Sequence, residues 1–188
     1  RDYCIYVLQA YGVLMSVHCF QSELDFSHKA QRSDFMRGVY EHFFPGAAVV
    51  YHDKDGPWQR GGIDATVILP TSVTFTVDEK TRRGNWQDIL LEEWSDYERQ
   101  VPGWVCKPLM CDYILYSVPA AARAYLLPAG PLQQAWRTHS AEWKADIHNR
   151  HDSHNRNGER TWYSVNWQVE PEVLLRAICE TYKFTTAA

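Results

Sequence analysis

The chain lacks a paired set of cysteines and has no long hydrophobic run. Its five cysteines stand at positions 4, 19, 106, 111 and 179, a spacing that excludes a secreted disulfide framework and leaves any zinc site incomplete. No apolar stretch is long enough to span a bilayer, and the apolar start has no cleavage-site pattern. We therefore expect buried thiols in a cytoplasmic protein that does not engage a membrane.

The chain also has little net charge. Nineteen basic residues stand against 23 acidic ones, which gives a formal charge of −4. This balance argues against a protein that coats nucleic acid through bulk electrostatics, although an acidic metal site beside a local basic face remains compatible with it. A length of 188 residues and an apolar content of 45% predict one domain, residues 1–188, with a sizeable core.

What the chain does have is a pair of short apolar strands close together, over residues 63–69 and 73–77. Their apolar alternation and the intervening proline predict a hairpin. Asp64 lies near the start of the first strand, Asp78 at the end of the second, and Lys80 two residues further on. Antiparallel pairing would bring these three side chains together at one edge of the sheet.

Two carboxylates that face each other are costly unless a cation lies between them. Mg²⁺ suits such a site, because it prefers one or two carboxylates together with water and phosphate oxygens. It can stabilise charge on a phosphate or lower the pKa of a bound water. The lysine would place a positive charge beside that water or the scissile phosphate, so the set is a minimal one for phosphodiester hydrolysis.

At these residues the sequence resembles the PD-(D/E)XK nuclease superfamily. The matching segments are GGID at the first acid, VDEKTR around the lysine, and then DILLEEWS, a PGW turn and CDYILY. Their order is similar to that of phage and mobile-element members. The resemblance implies an α/β fold, with a restriction-endonuclease-like mixed β-sheet core flanked by helices. It also implies a metal-dependent nuclease, with DNA as the expected substrate and a homodimer as an expected assembly.

The resemblance also implies roles for the motif residues. Asp64 and Asp78 would bind Mg²⁺, or Mn²⁺ in its place, with the main-chain carbonyl of Glu79 as a third ligand. Lys80 would orient or help deprotonate the attacking water. Asp78 is preferred to the adjacent Glu79 as the second acid, because its spacing keeps it on the strand face of Lys80.

A further glutamate follows the lysine by about a dozen residues in such nucleases. Glu92 fits that place best here, and Glu93 competes with it, since the strand register decides which of them faces the site. Residues 86–92 are expected to form a third strand of the site. Glu92 is the last residue of this segment, and Glu93 is the residue after it. Glu92 would hold a metal-bound water or a second ion.

Additional contributors are expected before the hairpin. Residues 27–44 show helical apolar spacing, with Ser27 as a plausible N-cap. By resemblance Glu41 on this helix would reach the metal, although an exposed helical glutamate is the favoured interpretation. Gln59 and Arg60, in the polar loop before the first acid, could touch a phosphate or simply form a turn.

Other parts of the chain predict conventional elements. Further strands are expected at residues 47–51, 112–118, 123–127 and 161–168, and further helices at 131–139 and 172–182. Residues 1–25 are equally compatible with a strand and a helix.

The segment 142–160 allows a different function. His148, His151 and His154 recur at every third position, so a metal site is conceivable. The surrounding residues are strongly polar, which favours an exposed loop near the substrate.

Two alternatives to a nuclease therefore remain open. The first is a catalytically inactive nuclease-fold protein that binds nucleic acid or a protein partner. The second is a zinc-binding module that uses the histidine segment.

Overall fold

A computed structural model describes residues 33–53 and 56–185. It confirms an α/β fold with two sheets, one of them mixed, and helices. The contacts divide the described residues into two compact units. We call residues 33–86 and 109–129 the first unit and residues 87–108 and 130–185 the second unit. Among the described residues, no helix has the length and apolar character that a membrane span requires.

The helices and strands follow one another along the whole described chain. The helices are α1 (Asp34–Phe43), α2 (Pro57–Arg60), α3 (Ala129–Trp143) and α4 (Pro171–Thr185). The strands are β1 (Ala48–Tyr51), β2 (Ala65–Ile68), β3 (Thr74–Thr81), β4 (Ile89–Asp96), β5 (Val101–Pro102), β6 (Tyr113–Val118), β7 (Arg123–Pro128), β8 (Arg150–Asn157) and β9 (Arg160–Val169). Short 3₁₀ helices lie at Pro119–Ala121 and Ile147–Asn149.

The first unit contains a five-stranded sheet with the order β1-β2-β3-β6-β7. β2 and β3 form the predicted antiparallel hairpin, and the amide of Leu69 closes its turn on the carbonyl oxygen of Val73 at 2.9 Å. β3 pairs with β6 in parallel, which makes the sheet mixed. β3 is eight residues long and β2 only four, so the second half of β3 continues beyond the start of β2.

Helix α1 packs on one face of this sheet. Its N-cap is Ser33, whose hydroxyl accepts a hydrogen bond from the amide of Met36 at 3.2 Å. A buried cluster joins the helix to three strands and contains Met36, Tyr40, Phe44, Ala65, Val67, Val77 and Leu115. Since successive side chains of a strand point to opposite faces, Asp64 and Asp78 belong to the face away from α1.

The second unit contains a four-stranded sheet with the order β5-β4-β9-β8. Its strands are antiparallel neighbours. Apolar side chains of the two inner strands are buried, namely Ile89, Leu91, Val165, Trp167 and Val169. β8 is the edge strand, and none of its residues is buried. The burial follows the sequence, because β8 (RHDSHNRN) has no apolar residue to bury.

The structure corrects several expectations. The segment expected to be a third strand of the site instead forms β4, which pairs with β5 and β9 in the second sheet. Within the histidine segment, residues 150–157 form a strand, β8, rather than a loop, because their backbone pairs with β9 along the whole length of β8. Cys106 and Cys179 are exposed, and of the described cysteines only Cys111 is buried.

Other expectations hold with shifted boundaries. The remaining predicted strands are confirmed, and the two predicted later helices are confirmed as the longer α3 and α4. The described part of the first helix begins at Asp34 rather than after Ser27. Ser27 itself, and the open prediction for residues 1–25, lie outside the described residues.

Candidate active site

The hairpin brings two of the predicted acids into opposition. β2 and β3 pair Ala65 with Val77, and the amide of Asp64 donates to the carbonyl oxygen of Val77 at 2.8 Å. Extending this register by one residue places Asp64 opposite Asp78. Lys80 is two residues further along β3, so its side chain lies on the same face as that of Asp78. The three residues therefore meet as the sequence predicts.

Hydrogen bonds from three directions fix Asp64. Its Oδ2 accepts from the main-chain amide of Glu79 at 2.8 Å, and its Oδ1 accepts from Nε2 of Gln59 at 3.4 Å. Its carbonyl oxygen accepts from the amide of His52 at 2.9 Å. The carboxylate is thus held in one orientation, and the expected involvement of Gln59 takes the form of contact with this acid.

Asp78 is the most buried of the candidate acids, with 2% of its surface exposed. Its Oδ1 lies 2.5 Å from Nζ of Lys80, whereas its Oδ2 is buried and receives no hydrogen bond from the described residues. A Cβ added at Gly62, which has φ +76°, would lie 3.7 Å from this Oδ2. The Oδ1 of Asp78 is therefore bonded to Lys80, and its Oδ2 lies next to the main chain of Gly62, which has no side chain to cover it.

Burial raises the pKa of Asp78 to about 6, because desolvation disfavours the charged form. The charge of Lys80 opposes this rise, and the neighbouring Asp64 carboxylate adds to it. The charged form of Asp78 is therefore costly where it lies. Burial also raises the pKa of the nearby Cys111 thiol to about 12, with the charge of Asp78 as a second cause, so this cysteine stays protonated.

Glu79 turns its side chain to the opposite face of the sheet. Its Oε1 accepts a hydrogen bond from the hydroxyl of Tyr40 at 2.6 Å. Burial, followed by the charge of Glu79, holds the pKa of Tyr40 well above its usual range. The main chain of Glu79 serves the acidic face, since its amide contacts Asp64 and its carbonyl is directed to the same strand edge. The side chain of Glu79 thus stays with the core, as the preference for Asp78 requires.

These residues fit a small, hard cation. Mg²⁺ needs one or two carboxylates and keeps several waters, and Asp64 and Asp78 supply two carboxylates on one face. The Oδ2 of Asp78, which receives no hydrogen bond from the described residues, is a donor atom of the right chemistry. Residues 33–53 and 56–185 contain no group of three or more His, Cys, Asp or Glu side chains arranged for a metal. A bound ion would therefore depend on these two acids, main-chain oxygen and water.

Two other predicted site residues, Glu92 and Glu93, belong to the second unit. Glu92 is on β4, and its Oε2 accepts from the amide of Trp104 at 3.3 Å. Glu93 pairs with Lys144 and Trp167 within the second unit. Because β4 belongs to the second sheet, the hairpin register that joins the two aspartates does not determine the place of either glutamate.

Two further candidates have other contacts or surroundings. The Oε1 of Glu41 accepts from the amide of Gly46 at 3.2 Å, so this carboxylate helps to end α1. Arg60 is the exposed last residue of α2.

The histidine segment does not assemble a metal site. His151 and His154 are separated by three positions of an extended strand, so their side chains lie on opposite faces of β8. His154 stacks on Tyr163, its cross-strand partner, with ring centroids 4.7 Å apart. His148 precedes the strand, in the 3₁₀ helix that ends at Asn149.

Some residues at the site gave no signal in the sequence. Tyr40 fits the helical apolar pattern of the core, and nothing local indicates that its hydroxyl reaches Glu79. His52 and Trp58, which stack with ring centroids 5.1 Å apart, lie in a loop and a short helix without periodicity. Only a prediction of the loop path could have joined them.

No protein-family model, curated protein or solved structure matches this chain. The resemblance to the PD-(D/E)XK nucleases stays a prediction that depends on the motifs.

Proposed function

We propose that Asp64, Asp78 and Lys80 form the active centre of a divalent-metal-dependent nuclease that hydrolyses phosphodiester bonds, with DNA as its substrate. The observation that supports this most strongly is the hairpin register, which sets the two acids opposite each other with the lysine on the same face. On this proposal the five-stranded sheet is the restriction-endonuclease-like core. A cytoplasmic location and a homodimer with two such centres belong to the same proposal.

Mg²⁺, or Mn²⁺ in its place, would be held by the carboxylates of Asp64 and Asp78 and the carbonyl oxygen of Glu79. When bound, such an ion polarises a phosphate and lowers the pKa of a coordinated water. Asp64 is already oriented for this role by its hydrogen bonds to Glu79 and Gln59. Little rearrangement is then needed when the substrate arrives, which is the advantage of a preorganised site.

Lys80 would act on the attacking water and on the phosphate. About a quarter of its side chain is exposed, while that of Asp78 is almost fully buried. The ammonium group therefore lies between the buried acid and solvent, where it can hold a water by hydrogen bonding and offset phosphate charge. Arg82 follows two residues later and lies over the ring of Trp86 at 4.5 Å, which adds positive charge at the same end of β3.

The test is cleavage of a panel of labelled nucleic acids in Mg²⁺, Mn²⁺ or a chelator. The panel contains single-stranded, duplex and branched DNA, together with RNA. We expect metal-dependent cleavage by the wild type and a loss of roughly 100-fold or more in rate for Asp78→Ala and Lys80→Ala. Asp34→Asn, which alters an exposed acid of the same unit, is the control and should cleave normally.

Cleavage by both variants at the wild-type rate would overturn the catalytic assignment. Binding of DNA without product in every metal would instead identify a binding module that has kept the fold and lost turnover.

A further inference from the structure

Trp58 is a large apolar side chain exposed beside the acidic centre. It lies in α2, and 53% of its surface is exposed. Its carbonyl oxygen accepts a hydrogen bond from the amide of Ile63 at 3.0 Å, directly before Asp64. The next residue, Gln59, contacts the Asp64 carboxylate. The main chain of Trp58 is thus bonded to the residue before Asp64, and the side chain of its neighbour Gln59 is bonded to the acid itself.

The ring of Trp58 is held in place by stacking. His52 lies nearly parallel to it, with 17° between the ring planes. Nε2 of His52 is 2.8 Å from the hydroxyl of Thr66. Thr66 alternates with the core residues Ala65 and Val67, so it belongs to the same sheet face as Asp64. One face of the indole is therefore covered, and its large exposure includes the other face.

We propose that this exposed indole face is a stacking platform for an unpaired nucleobase of the substrate, next to the phosphate that is cut. The inference depends on the proposed nuclease function and specifies its substrate as DNA with unpaired nucleotides at the cleavage position. Bases inside a duplex are covered on both faces by their neighbours, whereas an unpaired base can stack on an aromatic side chain. Every base offers such a face, so the platform selects strand form rather than sequence.

The position of the platform agrees with this use. A phosphate held through a cation at Asp64 and Asp78 would bring its attached nucleoside close to Trp58, because Trp58 and Gln59 contact Ile63 and Asp64. Met110 lies close to the end of α2, with 71% of its surface exposed and its sulfur 3.1 Å from a Cβ added at Gly61. It adds a second flexible apolar contact near the two glycines.

The experiment measures DNA binding by fluorescence anisotropy, with Asp78→Asn in Ca²⁺ to prevent cleavage. The probes are a labelled 12-nucleotide single strand, its duplex, and a strand of equal length made of abasic sugar phosphates. In this background we expect Trp58→Ala to weaken single-strand binding by roughly tenfold, since base stacking on an aromatic ring has about that effect. Binding of the abasic strand should not change, and Trp58→Phe should retain most of the affinity.

Tyr182→Ala is the matched control, because it removes a similarly exposed aromatic side chain, 50% exposed, from α4. It should leave all three affinities unchanged. The stacking proposal would be wrong if Trp58→Ala bound the single strand as tightly as its parent does. It would also be wrong if the variant lost equal affinity for the normal single strand and for the abasic strand.

Cleavage assays in which Trp58→Ala is the only substitution distinguish failure of the stacking proposal from failure of the proposed nuclease function. If the wild type cleaves and Trp58→Ala cleaves single strands equally well, only the platform is wrong. If the wild type binds but never cleaves, the nuclease proposal fails while the stacking result still stands. If it neither binds nor cleaves, both fail.

Discussion

Two carboxylates on inner strands, one in each unit, differ in what surrounds them. In the second unit both oxygens of Glu93 are bonded, Oε1 to Nζ of Lys144 at 2.7 Å and Oε2 to Nε1 of Trp167 at 2.8 Å. In the first unit Asp78 is buried more deeply, yet only one of its oxygens is bonded, and a second acid, Asp64, lies beside it.

This difference indicates that the carboxylate of Glu93 stabilises the folded state, whereas the carboxylate of Asp78 destabilises it. A buried charge with complete hydrogen bonding holds its surroundings together, whereas a buried charge with an unsatisfied oxygen and a like-charged neighbour raises the free energy of the folded state. On the proposed function, a bound divalent cation would offset this cost. The following predictions use this contrast.

The largest effect is expected at Asp78 and depends on pH. Its pKa is about 6 in the folded protein, above the ordinary aspartate value of 3.8, so the folded state binds more protons between these values and loses stability as the pH rises through them. In chelator, Asp78→Asn should match the wild type near pH 4 and exceed it by roughly 3 kcal/mol at pH 7.

Urea unfolding at both pH values measures this difference. A variant that is less stable than the wild type at pH 7 would show that Asp78 is a stabilising carboxylate like Glu93. Added Mg²⁺ should narrow the gap, because an ion that binds the folded wild type stabilises it.

A change of opposite sign is expected at Glu93. Glu93→Ala leaves the ammonium of Lys144 and the indole N–H of Trp167 without this acceptor, in a place where only 16% of the glutamate side chain is exposed. We expect a loss of about 2 kcal/mol in the free energy of unfolding, less than for a fully buried pair because Lys144 is partly solvated. Chemical denaturation near pH 7 measures it, and Asp34→Ala, at an exposed acid, should stay within about 0.5 kcal/mol of wild type.

The smallest effect concerns Glu79, which adjoins Asp78 in sequence and faces the other way. Tyr40→Phe removes the hydroxyl that bonds its Oε1 and leaves the ring packing in place. Loss of one such donor to a buried carboxylate should cost about 1.5 kcal/mol in stability. If Tyr40 acts only through the core, the metal dependence of DNA cleavage should not change, and a large change in that dependence would connect Tyr40 to the acidic face.

Most of the acidic centre could be predicted because it depends on local pairing. Alternation in residues 63–69 and 73–77 determines which side chains share a face, and a short turn leaves little freedom in the register. The meeting of Asp64 with Asp78 and Lys80 follows from these two facts. Their chemical roles do not follow from them and stay predictions.

The remaining errors arose where pairing is distant in sequence. β4 has the composition of a strand, but its partner residues in β9 lie 71 to 80 positions away, so the sequence could not assign β4 to the second sheet. β8 has no apolar alternation and becomes a strand only because β9 supplies its hydrogen-bond partners. The stacking of His52 on Trp58 depends on the path of a loop, for which periodicity provides no information.

The unequal lengths of β2 and β3 determine which group accepts the β3 amide that lies beyond the start of β2. β2 begins at Ala65, opposite Val77, and β3 continues to Thr81 with β6 on its other side. The last residues of β3 thus lie beyond the register of β2, and there the side chain of Asp64, rather than the backbone of a strand, accepts a hydrogen bond from the amide of Glu79. A longer β2 would offer this amide a main-chain carbonyl, and the Asp64 carboxylate would then lose the bond that orients it opposite Asp78.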